Sequence, residues 1–223
     1  MKKGKRISIV VCLLAVLLLV SSAHAALSNL GTDSLGNRLI YDSDLNITWY
    51  DYTKSNDNWQ NQENWASGLD IDFGGTHYTD WRLPTTVDGP FVYGNDGTTT
   101  GGYNITSSEM GHLFYTELGN KGYYTTDGTN PQPGWGLTNT DDFQHLQPYV
   151  YWSGTEHADI TGDAWVFNAG YGYQAPADKP NLNFYALAVR PGDVTVVPEP
   201  ISSILFLAGG ATLIGRKYLR RKK

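Results

Sequence analysis

Three short apolar runs decide the fold expected for the second half of the chain: Tyr149-Val150-Tyr151-Trp152-Ser153, Ala164-Trp165-Val166-Phe167-Asn168 and Phe184-Tyr185-Ala186-Leu187-Ala188-Val189-Arg190. Each run is apolar at consecutive positions, which is typical of interior strands that are buried on both faces. Two earlier runs, 39–41 and 47–50, are also β-prone, and the segment 42–46 between them has turn composition. The sequence therefore predicts short strands that form a buried sheet.

Two helices are expected among these strands, separated by long loops at 85–103 and 120–147. The first helix runs from Trp59 to Ser67 and ends at Gly68. The second begins at a capping box, Thr106-x-x-Glu109, and ends before Gly119. Its apolar residues have helical spacing: Met110, Leu113, Phe114 and Leu118. Strands, helices and long loops in this order indicate an α+β fold.

The charges are sorted along the chain, so the formal net charge of −6 for 223 residues is a misleading average. Four cations precede an apolar run at 7–20, and Ala23-His24-Ala25 follows that run. A basic segment, an apolar segment and an A-x-A ending are typical of a secretory signal peptide over residues 1–25. The small residues Ala23 and Ala25 favour cleavage after Ala25 over an uncleaved membrane anchor. Export by the Sec machinery and cleavage by signal peptidase are therefore expected.

The other end of the chain, residues 197–223, contains a short apolar run and a basic tail. The apolar run predicts a transmembrane helix at about 201–215, which is shorter than the roughly 20 residues of a free-standing span. Cations directly after the run are a stop-transfer pattern that keeps the tail in the cytoplasm; they are Arg216, Lys217, Arg220, Arg221, Lys222 and Lys223. The prolines of Pro198-Glu199-Pro200 prevent the helix from extending backwards.

The region between the two ends, residues 26–196, is strongly acidic and contains no cysteine. It carries 21 Asp and Glu against six Lys and Arg, a net charge of −15. Such a surface repels nucleic acid and anionic polysaccharide, so no nucleic-acid partner is expected. The single cysteine, Cys12, lies in the signal peptide, which excludes disulfides and thiol chemistry from the exported region.

Residues 197–223 resemble the PEP-CTERM sorting signal of exopolysaccharide-producing Gram-negative bacteria. The resemblance is carried by Pro198, Glu199 and Pro200, by the short apolar helix with Gly209-Gly210, and by the basic tail. It implies that an exosortase, a membrane-embedded cysteine protease, processes the chain. The implied location is an inner-membrane-anchored precursor that is delivered to the cell surface or extracellular matrix.

A second resemblance spans about 39–192 and is to the Lcl C-terminal domain, a former domain of unknown function named from a collagen-like adhesin. Its anchors occur in order along the chain: Thr48-Trp49, Trp65-Ala66, Asp80-Trp81-Arg82-Leu83-Pro84-Thr85, Glu109, Leu113-Phe114, Tyr151-Trp152-Ser153-Gly154-Thr155, Ala164-Trp165-Val166-Phe167 and Ala186-Leu187-Ala188-Val189-Arg190-Pro191. The resemblance implies a C-type-lectin-like single domain and adhesion or glycan binding. The formylglycine-generating chemistry of related folds needs cysteine and does not transfer here. The resemblance also makes Trp49, Trp65, Trp81, Trp152 and Trp165 framework residues, expected mostly in the core.

No catalytic motif is present, and we expect a non-enzymatic protein without a required cofactor. The chain lacks a nucleophile elbow, a phosphate loop, a dinucleotide fingerprint and a His-Glu-x-x-His zinc motif. A secreted glycan-active hydrolase is the alternative, because 21 acidic residues offer many carboxylate pairs. The spacing Asp42-x-Asp44-x-Asn46 matches the first half of a calcium loop. The other interpretation of that segment is an Asx-rich turn between two strands.

Glycan contact requires exposed aromatic rings, because the C–H faces of sugars stack on them. Loop aromatics fit this need: Tyr93, Tyr103, Tyr123, Tyr124, Trp135, Tyr171 and Tyr173. Among these we select Trp135 with Tyr123 and Tyr124 as the candidate ligand-binding residues. Arg82 and Arg190 are expected to form buried ion pairs that hold the framework together. The predicted function is a matrix or adhesion component of the cell surface or biofilm, with extracellular polysaccharide as a partner.

Overall fold

The computed structural model describes residues 26–194 of the chain. The predicted signal peptide and sorting signal both lie outside the described residues. This also applies to every candidate residue within them: Ala23, Ala25, Pro198, Glu199, Pro200, Arg216, Lys217, Arg220, Arg221, Lys222 and Lys223. Within residues 26–194, no helix is both long and apolar enough to cross a membrane.

The described region contains eleven strands and two short helical segments. The strands are β1 (Leu27–Thr32), β2 (Arg38–Asp42), β3 (Ile47–Asp57), β4 (Ile71–Phe73), β5 (Thr76–Tyr78), β6 (Tyr93–Gly94), β7 (Gly101–Tyr103), β8 (Val150–Glu156), β9 (Asp163–Asn168), β10 (Tyr173–Asp178) and β11 (Phe184–Pro191). The helical segments are α1 (Trp59–Ser67) and α2 (Glu109–Gly111), the latter continuing as a π-helix at His112–Glu117. The α+β class is confirmed.

Nine of the strands form one mixed sheet in the order β1-β2-β3-β11-β8-β9-β10-β7-β6. The pairs β8–β11 and β6–β7 are parallel, and the other neighbours are antiparallel. The strands β4 and β5 form a separate hairpin. The last strand within residues 26–194, β11, therefore lies near the centre of the sheet, between the N-terminal strands β1–β3 on one side and β6–β10 on the other.

The sheet is buried on both faces, as predicted from the consecutive apolar residues of its strands. Neighbouring residues of a strand point to opposite faces. Accordingly Tyr151 belongs to one core cluster and Trp152 to the other, and Leu187 and Ala188 divide in the same way. The predicted strands at 149–153, 164–168 and 184–190 are confirmed with small shifts of their ends. Strands β1, β4, β5 and β10 were not predicted, because they are short, polar or interrupted by glycine and proline. Strands β6 and β7 lie within the expected loop 85–103 and were also missed, because each is only two or three residues long and rich in glycine.

Helix α1 has the boundaries that the sequence predicted. The side chain of Asn58 accepts a hydrogen bond of 3.0 Å from the backbone N–H of Asn61, which caps the first turn. Trp59 and Ala66 are buried on one face, as their spacing indicated. Gln62 lies between them and is also buried, and its side-chain Nε2 donates to backbone carbonyls of β3 and β11.

The predicted capping box at Thr106 and Glu109 is wrong. The helix begins two residues later, and the Ser108 side chain accepts the capping hydrogen bond from the N–H of Gly111. Glu109 is engaged elsewhere, because its carboxylate forms a bidentate ion pair with Arg82 at 2.7 Å for both bonds. The predicted end is confirmed, since Gly119 adopts a left-handed conformation with φ of 61°.

The ion pairs expected for Arg82 and Arg190 are both present and connect distant parts of the chain. Arg82 joins the segment before the first long loop to α2, and Glu109 also accepts a hydrogen bond from the N–H of Thr85 at 2.7 Å. Arg190 on β11 pairs with Asp80 at 2.8 Å. The two pairs are only partly buried, because the Arg82 side chain is 35% exposed and that of Asp80 is 54% exposed.

Candidate functional site

The seven loop aromatics selected from the sequence lie together on one surface, which we call the aromatic band. Its members are Tyr93, Tyr103, Tyr123, Tyr124, Trp135, Tyr171 and Tyr173. The sheet supplies part of the band, because Tyr173 of β10 is paired with Tyr103 of β7 and their ring centroids are 5.1 Å apart. The loop 120–147 supplies Tyr123, Tyr124 and Trp135. Successive ring contacts connect all seven residues.

One end of the band is a cluster around Trp135. The indole of Trp135 stacks on the ring of Tyr171, with centroids 5.0 Å apart and planes inclined by 27°. Tyr123 meets the same indole edge-on at 5.0 Å. Backbone hydrogen bonds hold this arrangement, since the N–H of Tyr123 donates to the carbonyl of Tyr171 at 2.8 Å. The structure therefore places Tyr171 against two of the three candidate ligand-binding residues, Trp135 and Tyr123, and Tyr124 contacts Tyr123.

The other end of the band contains Tyr93, Tyr103 and Tyr124. Tyr103 meets Tyr124 at 4.9 Å and Tyr93 edge-on at 6.5 Å. The side-chain amide of Asn104 donates to the carbonyls of Asn95 and Tyr124, which ties the first long loop to the second. Tyr93 and Tyr171, at opposite ends of the band, are 50% and 45% exposed. The rings are thus fixed in place while part of their surface remains in contact with solvent.

The hydroxyls of Tyr93, Tyr103 and Tyr173 remain protonated at neutral pH. Burial and the neighbouring tyrosines raise the pKa of Tyr103 to about 12. The pKa of Tyr93 is raised by the same causes, and that of Tyr173 by burial alone. Each phenol can therefore donate one hydrogen bond and accept others, as a ligand with many hydroxyl groups requires.

Tyr115 of the π-helix supports the band from below and was not selected from the sequence. Its hydroxyl accepts a hydrogen bond of 2.9 Å from the N–H of Asn104 and donates to the carbonyl of Gly172. A Cβ at Gly172 or at Gly122 would lie 2.5 Å from this hydroxyl, so both positions require glycine. The sequence offers a partial signal: Gly122 directly precedes Tyr123 and Tyr124, and Gly172 lies between Tyr171 and Tyr173. No local pattern connects Tyr115 with either glycine.

The framework tryptophans are separate from the band. Trp49, Trp81, Trp152 and Trp165 are buried, and Trp65 is partly buried against the same core, as predicted. Trp165 donates its indole N–H to Asp88 at 2.8 Å, and this hydrogen bond lowers the pKa of the Asp88 carboxyl. These five tryptophans therefore pack against the core, whereas Trp135 belongs to the aromatic band.

The predicted calcium residues form the turn between β2 and β3. The Oδ1 of Asp42 accepts hydrogen bonds from the N–H groups of Asp44 and Leu45, which is the Asx-turn arrangement. Asn46 has φ of 51°, and its side chain accepts from the hydroxyl of Tyr41. Calcium binding by Asp42, Asp44 and Asn46 stays a prediction. Asp42 also lies near two residues that the sequence did not connect with it, His112 and Glu117, and all three could contact one metal ion.

The comparisons with known proteins found no match for this chain among family models, curated proteins or solved structures.

Proposed function

We propose that this chain is a non-enzymatic exported protein, sorted by an exosortase to the cell surface or exopolysaccharide matrix, where the aromatic band contacts a neutral glycan. The observation that carries the proposal is the band itself: seven aromatic residues in continuous contact and partly exposed. Sugars stack their C–H faces on such rings. The resemblance to the Lcl C-terminal domain supports the same reading and adds a C-type-lectin-like fold to the proposal.

Polar groups beside the rings suit hydroxyl-rich ligands. The Oε1 of Gln132 is buried without a hydrogen-bond partner, and the backbone N–H of the same residue donates to the carbonyl of Tyr123. The hydroxyl of Tyr93 donates to the side chain of Asn95 at 3.0 Å. If the Gln132 side chain turns toward solvent, a ligand hydroxyl would satisfy this acceptor, which has no partner within residues 26–194.

Charge favours a neutral glycan over an anionic one. Four of the six cations in the exported region are already paired with acidic side chains; they are Arg38, Arg82, Lys179 and Arg190. The remaining cations, Lys54 and Lys121, do not offset the excess of acidic residues around them. A polyanion would meet repulsion over most of this surface.

The binding proposal is tested with the full chain on an array of neutral and anionic glycans, with and without calcium. We expect binding to neutral glycans that Trp135→Ala and Tyr171→Ala weaken at least tenfold. The matched control is Tyr149→Ala, because Tyr149 is 38% exposed and stacks on Tyr185 at 4.1 Å but lies outside the band. Binding that is lost equally in the control, or that is confined to anionic glycans, would contradict the proposal.

The sorting proposal has an independent test. Deleting residues 198–223 removes the Pro-Glu-Pro motif, the apolar run and the basic tail together. We expect the shortened protein to appear in the periplasm or medium, as detected by fractionation and immunoblotting. A variant with the cations of the tail kept and Pro198 and Pro200 replaced by Ala separates loss of recognition from loss of membrane retention. Unchanged surface attachment after the deletion would refute sorting through this segment.

A secreted glycan-active hydrolase is the second candidate, and one observation favours it. Burial and then the charge of Glu156 raise the pKa of Glu63, and a raised pKa beside a second carboxylate is what a glycosidase acid requires. Release of reducing ends from a glycan by the wild type, abolished in Glu63→Gln, would replace the binding proposal by this one. Absence of product release leaves binding alone.

A further inference from the structure

Asp42, His112 and Glu117 form a compact group of potential metal ligands where the β2–β3 turn meets the π-helix. One donor atom from each residue lies within 4.8 Å of the other two. The Nε2 of His112 is 2.9 Å from the Oε1 of Glu117. Donors bound about 2.1 Å from one ion are separated by about 3.0 Å at right angles and by about 4.2 Å at most. Small side-chain rotations would therefore bring all three donors to one ion.

The π-helix is what brings His112 and Glu117 together. They are its first and last residues, five positions apart. In a regular α-helix, that separation would point their side chains about 140° away from each other. Here the N–H of Leu118 bonds the carbonyl of Leu113 at 2.9 Å, which is the wider π-helical turn. Such turns are rare and occur frequently at functional sites.

The group carries more negative charge than its surroundings neutralise. Asp42 is fully buried, the Glu117 side chain is 5% exposed, and the His112 side chain is 16% exposed. Within residues 26–194, neither carboxylate forms an ion pair with Lys or Arg. Burial and then the charge of Asp42 raise the pKa of Glu117. A divalent cation would neutralise the negative charge of both carboxylates, whereas the single imidazole of His112 cannot.

The Asp42 carboxylate is held in place and still has room for another contact. Its Oδ1 accepts two backbone N–H groups, whereas its Oδ2 has one long contact, 3.4 Å from the indole nitrogen of Trp49. Outer hydrogen bonds of this kind orient metal-binding carboxylates. A lone pair of Oδ2 thus remains for a cation.

We propose that Asp42, His112 and Glu117 bind a divalent transition-metal ion, tying the β2–β3 turn to the π-helix. One imidazole nitrogen and two carboxylate oxygens suit Zn²⁺, with water as the fourth ligand. Calcium takes six to eight oxygen ligands and suits this set poorly. The site shares only Asp42 with the calcium loop considered from the sequence, and it is independent of the aromatic band.

The test measures Zn²⁺ binding to the full chain by calorimetry after removal of metal with a chelator. We expect saturable binding of one ion, weakened at least tenfold by His112→Gln and by Glu117→Gln. The matched control is His77→Gln, because His77 pairs with Asp70 at a similar distance, 2.8 Å, but is exposed and, within residues 26–194, belongs to no group of three potential metal ligands. Asp42 is not replaced, since its loss would also disrupt the turn.

A second measurement separates metal binding from a purely structural role of the His112–Glu117 pair. Without metal, Glu117→Gln should melt at the same temperature as the wild type or higher, because it removes a buried carboxylate beside Asp42. Added Zn²⁺ should then raise the melting temperature of the wild type and of His77→Gln but not of Glu117→Gln. Absence of saturable Zn²⁺ binding, or equal affinity in all variants, would overturn the proposal. So would calcium binding that is tighter than Zn²⁺ binding and survives His112→Gln.

Discussion

The sheet and the aromatic band use the same kinds of side chain in opposite ways. In the sheet, Trp152 and Trp165 are fully buried and their indole N–H groups donate to Asp57 and Asp88. In the band, Trp135 stacks on Tyr171 and both keep solvent contact. Burial of an aromatic ring stabilises the fold, whereas a ring that is fixed in place and still exposed leaves apolar surface in contact with water. Folding stability alone therefore does not explain the exposed arrangement. The binding proposal rests on this difference between the two regions.

The largest expected effect comes from truncating a tryptophan of the sheet. Trp152→Ala leaves a cavity and removes the 3.0 Å hydrogen bond to the carbonyl of Asp57, at an expected cost of about 3–5 kcal/mol in the free energy of unfolding. Urea denaturation followed by circular dichroism measures it. Trp135→Ala in the band is the control and should cost less than about 1.5 kcal/mol, because the ring is partly exposed in the folded state. Equal losses would remove the distinction between the two regions.

The next effect concerns the ion pair that connects the segment at Arg82 with α2. Glu109→Gln keeps the size of the side chain but removes its charge, leaving Arg82 without a bidentate partner. Loss of these charge-assisted bonds should cost about 2–3 kcal/mol, measured by the same denaturation method. Asp80→Asn tests the more exposed pair with Arg190 and should cost about 1 kcal/mol or less. A larger loss of stability for Asp80→Asn than for Glu109→Gln would show that the more exposed ion pair is not the weaker one.

A smaller effect is expected where the band rests on the π-helix. Tyr115→Phe removes the hydroxyl that bonds Asn104 and Gly172, so the cost should be about 1–2 kcal/mol. Hydrogen exchange should accelerate at the amide of Asn104 and leave the amides of β11 unchanged. Tyr151→Phe is the matched control, since its buried hydroxyl bonds Gln147 and lies in the sheet core. Faster exchange at Asn104 in the control would contradict a local role for Tyr115.

The smallest expected effect is the pH dependence of the hydrogen bond between Trp165 of β9 and Asp88 of the first long loop. The hydrogen bond from Trp165 lowers the pKa of Asp88, so this contact stabilises the folded state above the ordinary Asp pKa and is lost as pH falls through the lowered one. We expect the NMR signal of the Trp165 indole N–H to shift during acid titration, with a midpoint below the usual Asp pKa of about 3.9. Asp88→Asn should abolish the shift. A midpoint above the usual value would show that the sign is wrong.

Particular elements show why some of the architecture could be predicted and some could not. Helix α1 was predicted with its correct ends, because Asn58 and Gly68 are local signals read within one turn. The start of α2 was predicted wrongly, because Glu109 takes a partner 27 residues away, which no local pattern contains. The π-helical turn was missed for a related reason: Met110, Leu113, Phe114 and Leu118 have the i, i+3, i+4 and i+8 spacing that also fits a regular α-helix.

The candidate site residues also divide into those that the sequence identified and those that only the fold brought together. The loop aromatics were selected as a class from their exposure in glycine-rich segments, yet only the fold brought Tyr171 against Trp135 and Tyr115 beneath them. Asp42 was selected for its spacing with Asp44, while its proximity to His112 and Glu117 crosses about 70 residues of chain. Contacts between residues so far apart in the chain depend on the order of the strands in the sheet, and the spacing of residues in the sequence does not reveal that order.

The amino-acid sequence by itself determined the strand runs that are apolar on both faces, the helix α1 with its ends, the acidic and cysteine-free composition of residues 26–196, and the set of loop aromatics. These features follow from composition and from residues that are close together in the chain, because secondary-structure propensity and the pattern of apolar residues are properties of short segments. Only the tertiary structure decided that β11 lies near the centre of the sheet, that seven aromatics form one band, and that Asp42 meets a π-helix. Those outcomes depend on packing between distant segments, and the free energy of that packing belongs to the whole fold.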